Sequence, residues 1–351
     1  MARKYLTNTP DLTIDQTIRD LDADKTIIIT DSNVEKMVFP SLRKSEIISY
    51  SPRIIIEPGE EGKNLDTVIR IWEKLESSGC TRRSVALNIG GGVVTDIGGF
   101  AAATFKRGIR TVNFPTTLLG AVDAATGGKT GFNFHGLKNE IGAFHQPQSV
   151  ILSVVPFYTL PQEELLSGYA ELIKTALISD KELYESLLNL GIVLKNPDEL
   201  GKYVEKSVDI KDEVVAQDPE EKGLRKILNF GHTAGHAFES IRFCSDKISH
   251  GAAVAHGMLV ALLLSNKLLG LNWDVVKDYC QFLIKYYGQA VISETEIPEI
   301  LEKMGRDKKN SGYGQPSFTL LREVGVPVTD CHPTFQEITE SLKSYIKLTV
   351  H

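Results

Sequence analysis

Asn88-Ile89-Gly90-Gly91-Gly92-Val93-Val94-Thr95-Asp96 is the stretch from which the rest of the chain can be read. Upstream, Ser84-Val85-Ala86-Leu87 has the make-up of a short buried strand. Downstream, Gly98 to Phe105 is small and apolar enough to be a helix packed on a sheet. Three glycines between strand and helix allow positive φ and let backbone N–H groups approach a ligand that any Cβ would block. The helix N-terminus then offers unpaired donors and a positive dipole end to a phosphate or pyrophosphate. The run lacks the spaced glycines of the dinucleotide fingerprint, and a tight strand-to-helix turn without a ligand is its bland alternative.

Working outward, Lys25-Thr26-Ile27-Ile28-Ile29-Thr30 reads as a β-branched strand followed by the polar loop Asp31-Ser32-Asn33. A carboxylate at that strand end, Asp31, suits a ribose or adenine group, or else a helix cap. Arg53–Ile56 is a further strand that runs into the turn-rich Glu57–Lys63. Leu65, Val68, Ile69, Trp72 and Leu75 share one helical face, and Thr111–Phe114 is again extended. Strand, helix and strand alternate, which predicts a mostly parallel α/β sheet. Ligands of such sheets sit beyond the carboxyl ends of the strands, and Asp31, Glu60, Gly91 and Thr116 all follow a predicted strand. From Pro161 onward amphipathic helices dominate, over about 161–178, 198–217, 226–242, 250–269, 273–287 and 334–347, with only Ser317–Leu321 extended. The division expected is an α/β domain over 1–158 and a mainly helical domain over 159–351.

A length of 351 residues agrees with two domains. A net charge of −6 argues against a general nucleic-acid binder while allowing a locally basic pocket. Cys80, Cys244, Cys280 and Cys331 lie far apart, with no pair at metal-ligand spacing, as expected of free thiols in a reducing compartment. The first ten residues lack the apolar core of a signal peptide, and no apolar run is read as long enough to cross a bilayer. A cytoplasmic protein without membrane or nucleic-acid partners is the expectation.

Two regions carry chemistry. Between Pro115 and Gln146 lie Thr116, Thr117, Asp123, Lys129, Lys138 and Asn139, groups suited to a phosphorylated or carboxylated small molecule. Thr126-Gly127-Gly128-Lys129-Thr130-Gly131 is like a phosphate loop but lacks Walker spacing. In the helical half, Glu171 and Lys174 are three apart, at the spacing of a helical salt bridge. Asn229-Phe230-Gly231-His232-Thr233-Ala234-Gly235-His236 is followed by Ser249-His250-Gly251. His232 and His236, four apart, share a helical face as in paired-histidine zinc motifs. Two histidines and a carboxylate around an open position make a catalytic zinc set. Spacing nominates both His232 and His236 and leaves the carboxylate open.

Taken in order, Gly90–Asp96, Pro115–Leu119, Val122-Asp123 to Thr130, Lys138–Phe144, Ser167–Lys174, Leu228–His232 and His250-Gly251 resemble the 3-dehydroquinate synthases of the sugar-phosphate cyclase group, from about Asp31 to Asp307-Lys308-Lys309. The resemblance implies a Rossmann-like N-terminal domain holding NAD, a helical C-terminal domain holding Zn2+ or Co2+, a substrate cleft between them, and a homodimer. It assigns the metal to Glu171, His232 and His250, and makes His236 a proton-handling or hydrogen-bonding neighbour. Asp31, Glu60, Lys63, Gly91, Gly92, Asp96, Thr116, Thr117 and Thr159 match NAD-contacting positions. Arg107, Asp123, Lys129, Lys138, Asn139, Lys174, Lys211, Arg225, Asn229 and one of Lys308 and Lys309 match positions that hold the substrate's phosphate, carboxylate and hydroxyls.

The implied substrate is 3-deoxy-D-arabino-heptulosonate 7-phosphate, with NAD used and regenerated in each turnover. Two departures stand out. Ala252 follows His250-Gly251 where members have an acid, and Gly136-Leu137-Lys138-Asn139 replaces the usual Leu-Gly-Lys-Asn. Another cyclase on the same scaffold, and a zinc- and NAD-dependent polyol dehydrogenase of the glycerol type, are the rival readings.

Overall fold

The computed structural model describes residues 2–135, 137–191, 197–242, 248–305 and 314–350. The chain forms two compact units: Met1–Pro161 with Leu194–Asp212, and Gln162–Val193 with Glu213–His351.

The first unit is built on a parallel six-stranded sheet. Its strands are β1 (Arg3–Leu6), β2 (Thr26–Asp31), β3 (Arg53–Ile56), β4 (Val85–Gly90), β5 (Arg110–Pro115) and, after the antiparallel pair β6 (Lys129–Phe134) and β7 (Leu137–Phe144), β8 (Ser149–Leu152). The spatial order is β1-β8-β5-β4-β2-β3. The sheet is buried on both faces, so its central strands are apolar throughout rather than alternating. Ile27, Ile29, Ile54 and Ile56 pack with Val68, Ile71 and Leu75 of the helix Leu65–Ser77 and with Ile97 of the helix Gly92–Thr104. Ile28, Leu87, Ile89, Val112 and Phe114 face the other way, onto Ile14 and Ile18 of the helix Pro10–Asp20. Each fully buried Ile or Leu contributes about 1.5–3 kcal/mol, so the sheet is a rigid platform.

The chain leaves β2 toward β3 on one side and returns to β4 on the other, so strand order reverses between β2 and β4. A crevice opens at such a point beyond the carboxyl ends of the strands. The register makes those ends level: Asp31 pairs with Ile56, Thr30 with Ile89, and Gly90 with Pro115. Asp31, Gly91 and Thr116 therefore share one edge, as the alternation of strand and helix predicted.

Two expectations for this unit are corrected. The helix after the glycines starts at Gly92 rather than Gly98. None of Gly90, Gly91 and Gly92 has positive φ; they are small because neighbours come close. A Cβ at Gly90 would overlap Val94, and one at Gly91 or Gly92 would lie 3.0 Å from Thr117 or 3.2 Å from Ala124. In Thr126–Gly131, which lacks Walker spacing, Lys129 begins β6 behind the left-handed Gly127 and Gly128.

The second unit is helical around His250–Leu269, which is capped at its start by Ser249 and ended by the left-handed Gly270. Packed on it are Gln162–Ser179, His232–Arg242, Trp273–Tyr287, Phe335–Val350 and the strand β9 (Phe318–Glu323), itself paired with β10 (Val326–Cys331). His250–Leu269 corrects the reading that no run could cross a bilayer. It is long and apolar enough, but 72% of its apolar window is buried inside the protein. The apolar character serves a core contacted from several sides. The stretch expected to be helical from 226 starts only at His232, because Leu224–Asn229 coils more tightly and Gly231, at φ +78, breaks the path. Cys80 and Cys280 are buried free thiols and Cys331 is half-buried; Cys244 lies outside the described residues.

Candidate metal centre and anion-binding residues

Three helices bring one carboxylate and two imidazoles together. Glu171 lies within Gln162–Ser179, while His232 and His250 are the first residues of their helices. One ligand atom from each lies within 4.8 Å of the others. The imidazole centroids of His232 and His250 are 5.5 Å apart. His236 shares the face with His232, as its spacing predicted, with its ring 5.3 Å from that of His232 and 5.9 Å from that of His250. The group within 4.8 Å thus takes its second histidine from a different helix.

Glycines set this approach. Gly251 donates its N–H to Ser167 Oγ at 3.1 Å, and a Cβ there would overlap the Ser167 backbone. A Cβ at Gly257 would overlap Gly231 O and sit 2.6 Å from Gly235 N. Gly251→Ala should therefore push His250–Leu269 away from the helix of Glu171. Overpacking of this kind costs about 1–3 kcal/mol, and metal affinity should fall by about tenfold or more because the ligands separate. Thermal unfolding with and without metal checks this; an unchanged metal-dependent shift would contradict it.

Glu171 is 2% exposed and forms an ion pair with the equally buried Lys174. Its Oε1 has no hydrogen-bond partner among the described residues, and His232 Nε2 lies 3.6 Å away. A buried carboxylate oxygen without a donor is costly unless a cation satisfies it. His232 Nδ1 lies 3.2 Å from Phe230 O, so an Nδ1–H donated there would leave Nε2 with its lone pair toward Glu171.

In the same unit, the turn after Gln217 holds further polar groups. Asp218 accepts N–H bonds from Lys222 (3.0 Å), Gly223 (2.7 Å) and Arg225 (3.0 Å), led by the Gly223 bond, which hold its carboxyl below the usual range. Arg225, 3% exposed, donates to Pro219 O at 2.8 Å. Asn229 Nδ2 donates to Glu221 Oε1 at 2.6 Å. Glu221 was not nominated from sequence; it has φ +62, a rare and strained state for a non-glycine residue.

In the first unit, Lys63 is buried and paired with Asp96 at 2.5 Å, in the first turns of the helix Gly92–Thr104. No side chain caps that helix at Gly91. Asp31 caps Ser32–Met37 by accepting Val34 N–H at 2.9 Å, and burial pushes its carboxyl above the usual range. Glu60 accepts from Asn133 Nδ2 at 2.7 Å, and Asn133 Oδ1 accepts the Asn139 N–H at 2.9 Å. Asp123 forms an ion pair with Lys211, which is 7% exposed. Thr116 is buried, Thr117 is half-buried and Thr159 is exposed. Lys129, Lys138 and Asn139 are exposed on the β6–β7 pair. Arg107 is exposed too, and Lys106, Arg107 and Asn139 have φ of +51, +67 and +50. Strained residues that persist concentrate at functional sites. Lys308 and Lys309 lie outside the described residues.

A parallel sheet with a glycine turn at its switch point, and a helical unit gathering a carboxylate and two imidazoles, together have the architecture of the sugar-phosphate cyclases. Two solved structures share it. The 2-deoxy-scyllo-inosose synthase complexed with carbaglucose-6-phosphate, NAD+ and Co2+ has a TM-score of 0.85 and 25% identity, covering 97% of this chain and 96% of its own. The 2-epi-5-epi-valiolone synthase of Streptomyces hygroscopicus, with NAD+ and Zn2+ bound, has a TM-score of 0.85 and 24% identity, covering 99% and 97%. The profile of the 3-dehydroquinate synthase N-terminal region matches residues 53–167 and that of its C-terminal region residues 168–310. The 3-dehydroquinate synthase of Parabacteroides distasonis is 43% identical over 323 residues, 92% of this chain and 91% of its own. The chain belongs to the 3-dehydroquinate synthase family.

Proposed function

We propose that this chain converts 3-deoxy-D-arabino-heptulosonate 7-phosphate to 3-dehydroquinate and phosphate, using NAD and a divalent cation, Zn2+ or Co2+. The observation that carries the reading is the meeting of Glu171, His232 and His250 within 4.8 Å in a chain of this family.

The residues fit both groups. The orphaned Glu171 Oε1 and two imidazoles form a three-ligand protein set that leaves room for substrate. The uncapped helix start at Gly91 and Gly92, level with Asp31 and Thr116, suits a pyrophosphate and a ribose. When bound, the cation supplies Lewis acidity toward a substrate hydroxyl, and NAD supplies a hydride acceptor that is restored before product leaves.

The chain's own residues bind and orient. Gly91 and Gly92 offer backbone N–H groups to the dinucleotide phosphates, and Asp31 accepts from a ribose hydroxyl. Lys63 holds Asp96, while Glu60, Thr116, Thr117 and Thr159 complete the dinucleotide contacts. Arg107, Lys129, Lys138, Lys174, Lys211 and Arg225 supply positive charge for the phosphate and carboxylate of the substrate, and Asp123, Asn139 and Asn229 hydrogen-bond its hydroxyls. Oriented charges in a shielded site outweigh a net charge of −6. His236, half-buried beside both histidines, is placed to exchange a proton with the substrate.

Incubation with the heptulosonate phosphate and catalytic NAD tests this. One phosphate per substrate with no net NADH is expected. Stoichiometric NADH would indicate the polyol dehydrogenase, and turnover of a seven-carbon phosphate lacking the carboxylate in its place would indicate another cyclase. Lys138→Ala should raise the substrate KM by about 10–100-fold, the worth of a charge-assisted hydrogen bond of about 1.5–3 kcal/mol, with NAD binding unchanged. Equal weakening of both by isothermal titration would place Lys138 elsewhere.

A further inference from the structure

Glu239 has no role in the reading above, yet its place in the fold aims it at the metal centre. It lies two turns beyond His232 on the helix His232–Arg242, and so on the same face. Its Oε2 is 3.4 Å from Nδ1 of His250, and the side chains of Glu239 and His250 are 13% and 29% exposed. The carboxylate is thus held largely away from water against one ring nitrogen of the histidine that opens the next helix. Position 252, directly after His250-Gly251, is alanine. The acid that meets His250 comes from the neighbouring helix.

An imidazole has two nitrogens, and the partner of one decides what the other can do. With its Nδ1–H donated to a carboxylate, His250 keeps an unprotonated Nε2, the form that ligates a cation. The ring is fixed in direction and made more basic. We propose that Glu239 is a positioning residue of the metal centre: it accepts the Nδ1–H of His250 and presents Nε2 toward the space shared with Glu171 and His232. The proposal rests on the metal reading given above. Glu239 would touch neither substrate nor NAD, so its removal should act on cation affinity before it acts on anything else.

Metal-free wild-type, Glu239→Ala, Glu239→Gln and His250→Ala proteins are titrated with Zn2+ against a chelator and with Co2+ by visible absorption. For Glu239→Ala a Zn2+ affinity lower by about 10–100-fold is expected, the usual loss when the partner of a ligating histidine is removed. Glu239→Gln should fall between this and wild type, because its amide oxygen still accepts the N–H without the charge. The Co2+ bands should shift in both, while the metal-free melting temperature stays near that of wild type. A Zn2+ affinity within twofold of wild type in Glu239→Ala, or in Glu239→Gln if the alanine variant does not fold, overturns the proposal. If His250→Ala loses the cation while Glu239→Ala keeps it, only the role of Glu239 fails. If His250→Ala binds as wild type does, the metal reading falls with it.

Discussion

His250→Ala is expected to lose bound metal and turnover together, whereas His236→Ala keeps the metal and loses turnover alone. The two histidines are equally near His232 by ring distance, at 5.5 and 5.3 Å. Among the described residues, the group whose ligand atoms lie within 4.8 Å of one another takes in His250 and not His236. Without His250 two protein ligands remain, one fewer than a catalytic zinc site uses. Turnover should then fall by more than about a thousandfold, above the 10²–10³ lost with one oxyanion donor. For His236→Ala a loss of about 10²–10⁴, the usual contribution of a positioned acid or base, is expected with full metal content. Metal analysis beside kcat checks both. Loss of metal from the His236 variant would restore the pairing that helical spacing alone suggested.

Lys174→Ala should make the fold depend on the cation. Glu171 and Lys174 form an ion pair in which both side chains are almost fully buried. Breaking a buried pair by removing one partner costs about 3–5 kcal/mol, because the other charge is left uncompensated. In wild type Lys174 offsets the Glu171 charge when metal is stripped. Among the described residues the variant leaves Glu171 with the His232 imidazole 3.6 Å away and no lysine or arginine partner until a cation binds. Chelator-treated Lys174→Ala should therefore unfold at much lower denaturant than chelator-treated wild type, and added Zn2+ should restore most of the difference. Equal destabilisation with and without metal would show that Lys174 serves packing rather than charge.

The parts of the molecule that follow a repeating pattern were open to reading from sequence. Helices with a single apolar face, such as Trp273–Tyr287, have the period their burial requires, and β2 to β5 stand out as short β-branched or apolar runs. The edge strand β1, its neighbour β8 and the pair β6–β7 were not foreseen. Arg3–Leu6 is half charged, and Lys129–Phe144 mixes glycine, charge and aromatics in a way that reads as loop. Likewise β9 was visible from Ser317–Leu321, but its partner β10 contains Pro327 and Asp330, which weaken any strand signal.

At the candidate site, helical spacing identified His232 and His236 as neighbours but could not reach across to His250 and Glu171. Those meet only because Gly251 lets one helix touch the backbone of another, a contact with no local signature. Here the family resemblance supplied what period and spacing could not. Glu221 and Glu239 escaped for a different reason. The first sits in Glu220-Glu221-Lys222, which reads as a solvated turn, and the second reads as a surface position on an amphipathic helix. Only the fold shows that Asn229 and His250 face them.

Anomalous diffraction at the zinc edge from crystals of the metal-loaded protein tests the centre most directly. A single strong peak is predicted about 2.0–2.2 Å from a carboxylate oxygen of Glu171 and one nitrogen each of His232 and His250, the distances zinc keeps to oxygen and nitrogen ligands, with His236 beyond bonding reach. A peak bonded by His236 in place of His250, or one remote from Glu171, would contradict the assignment.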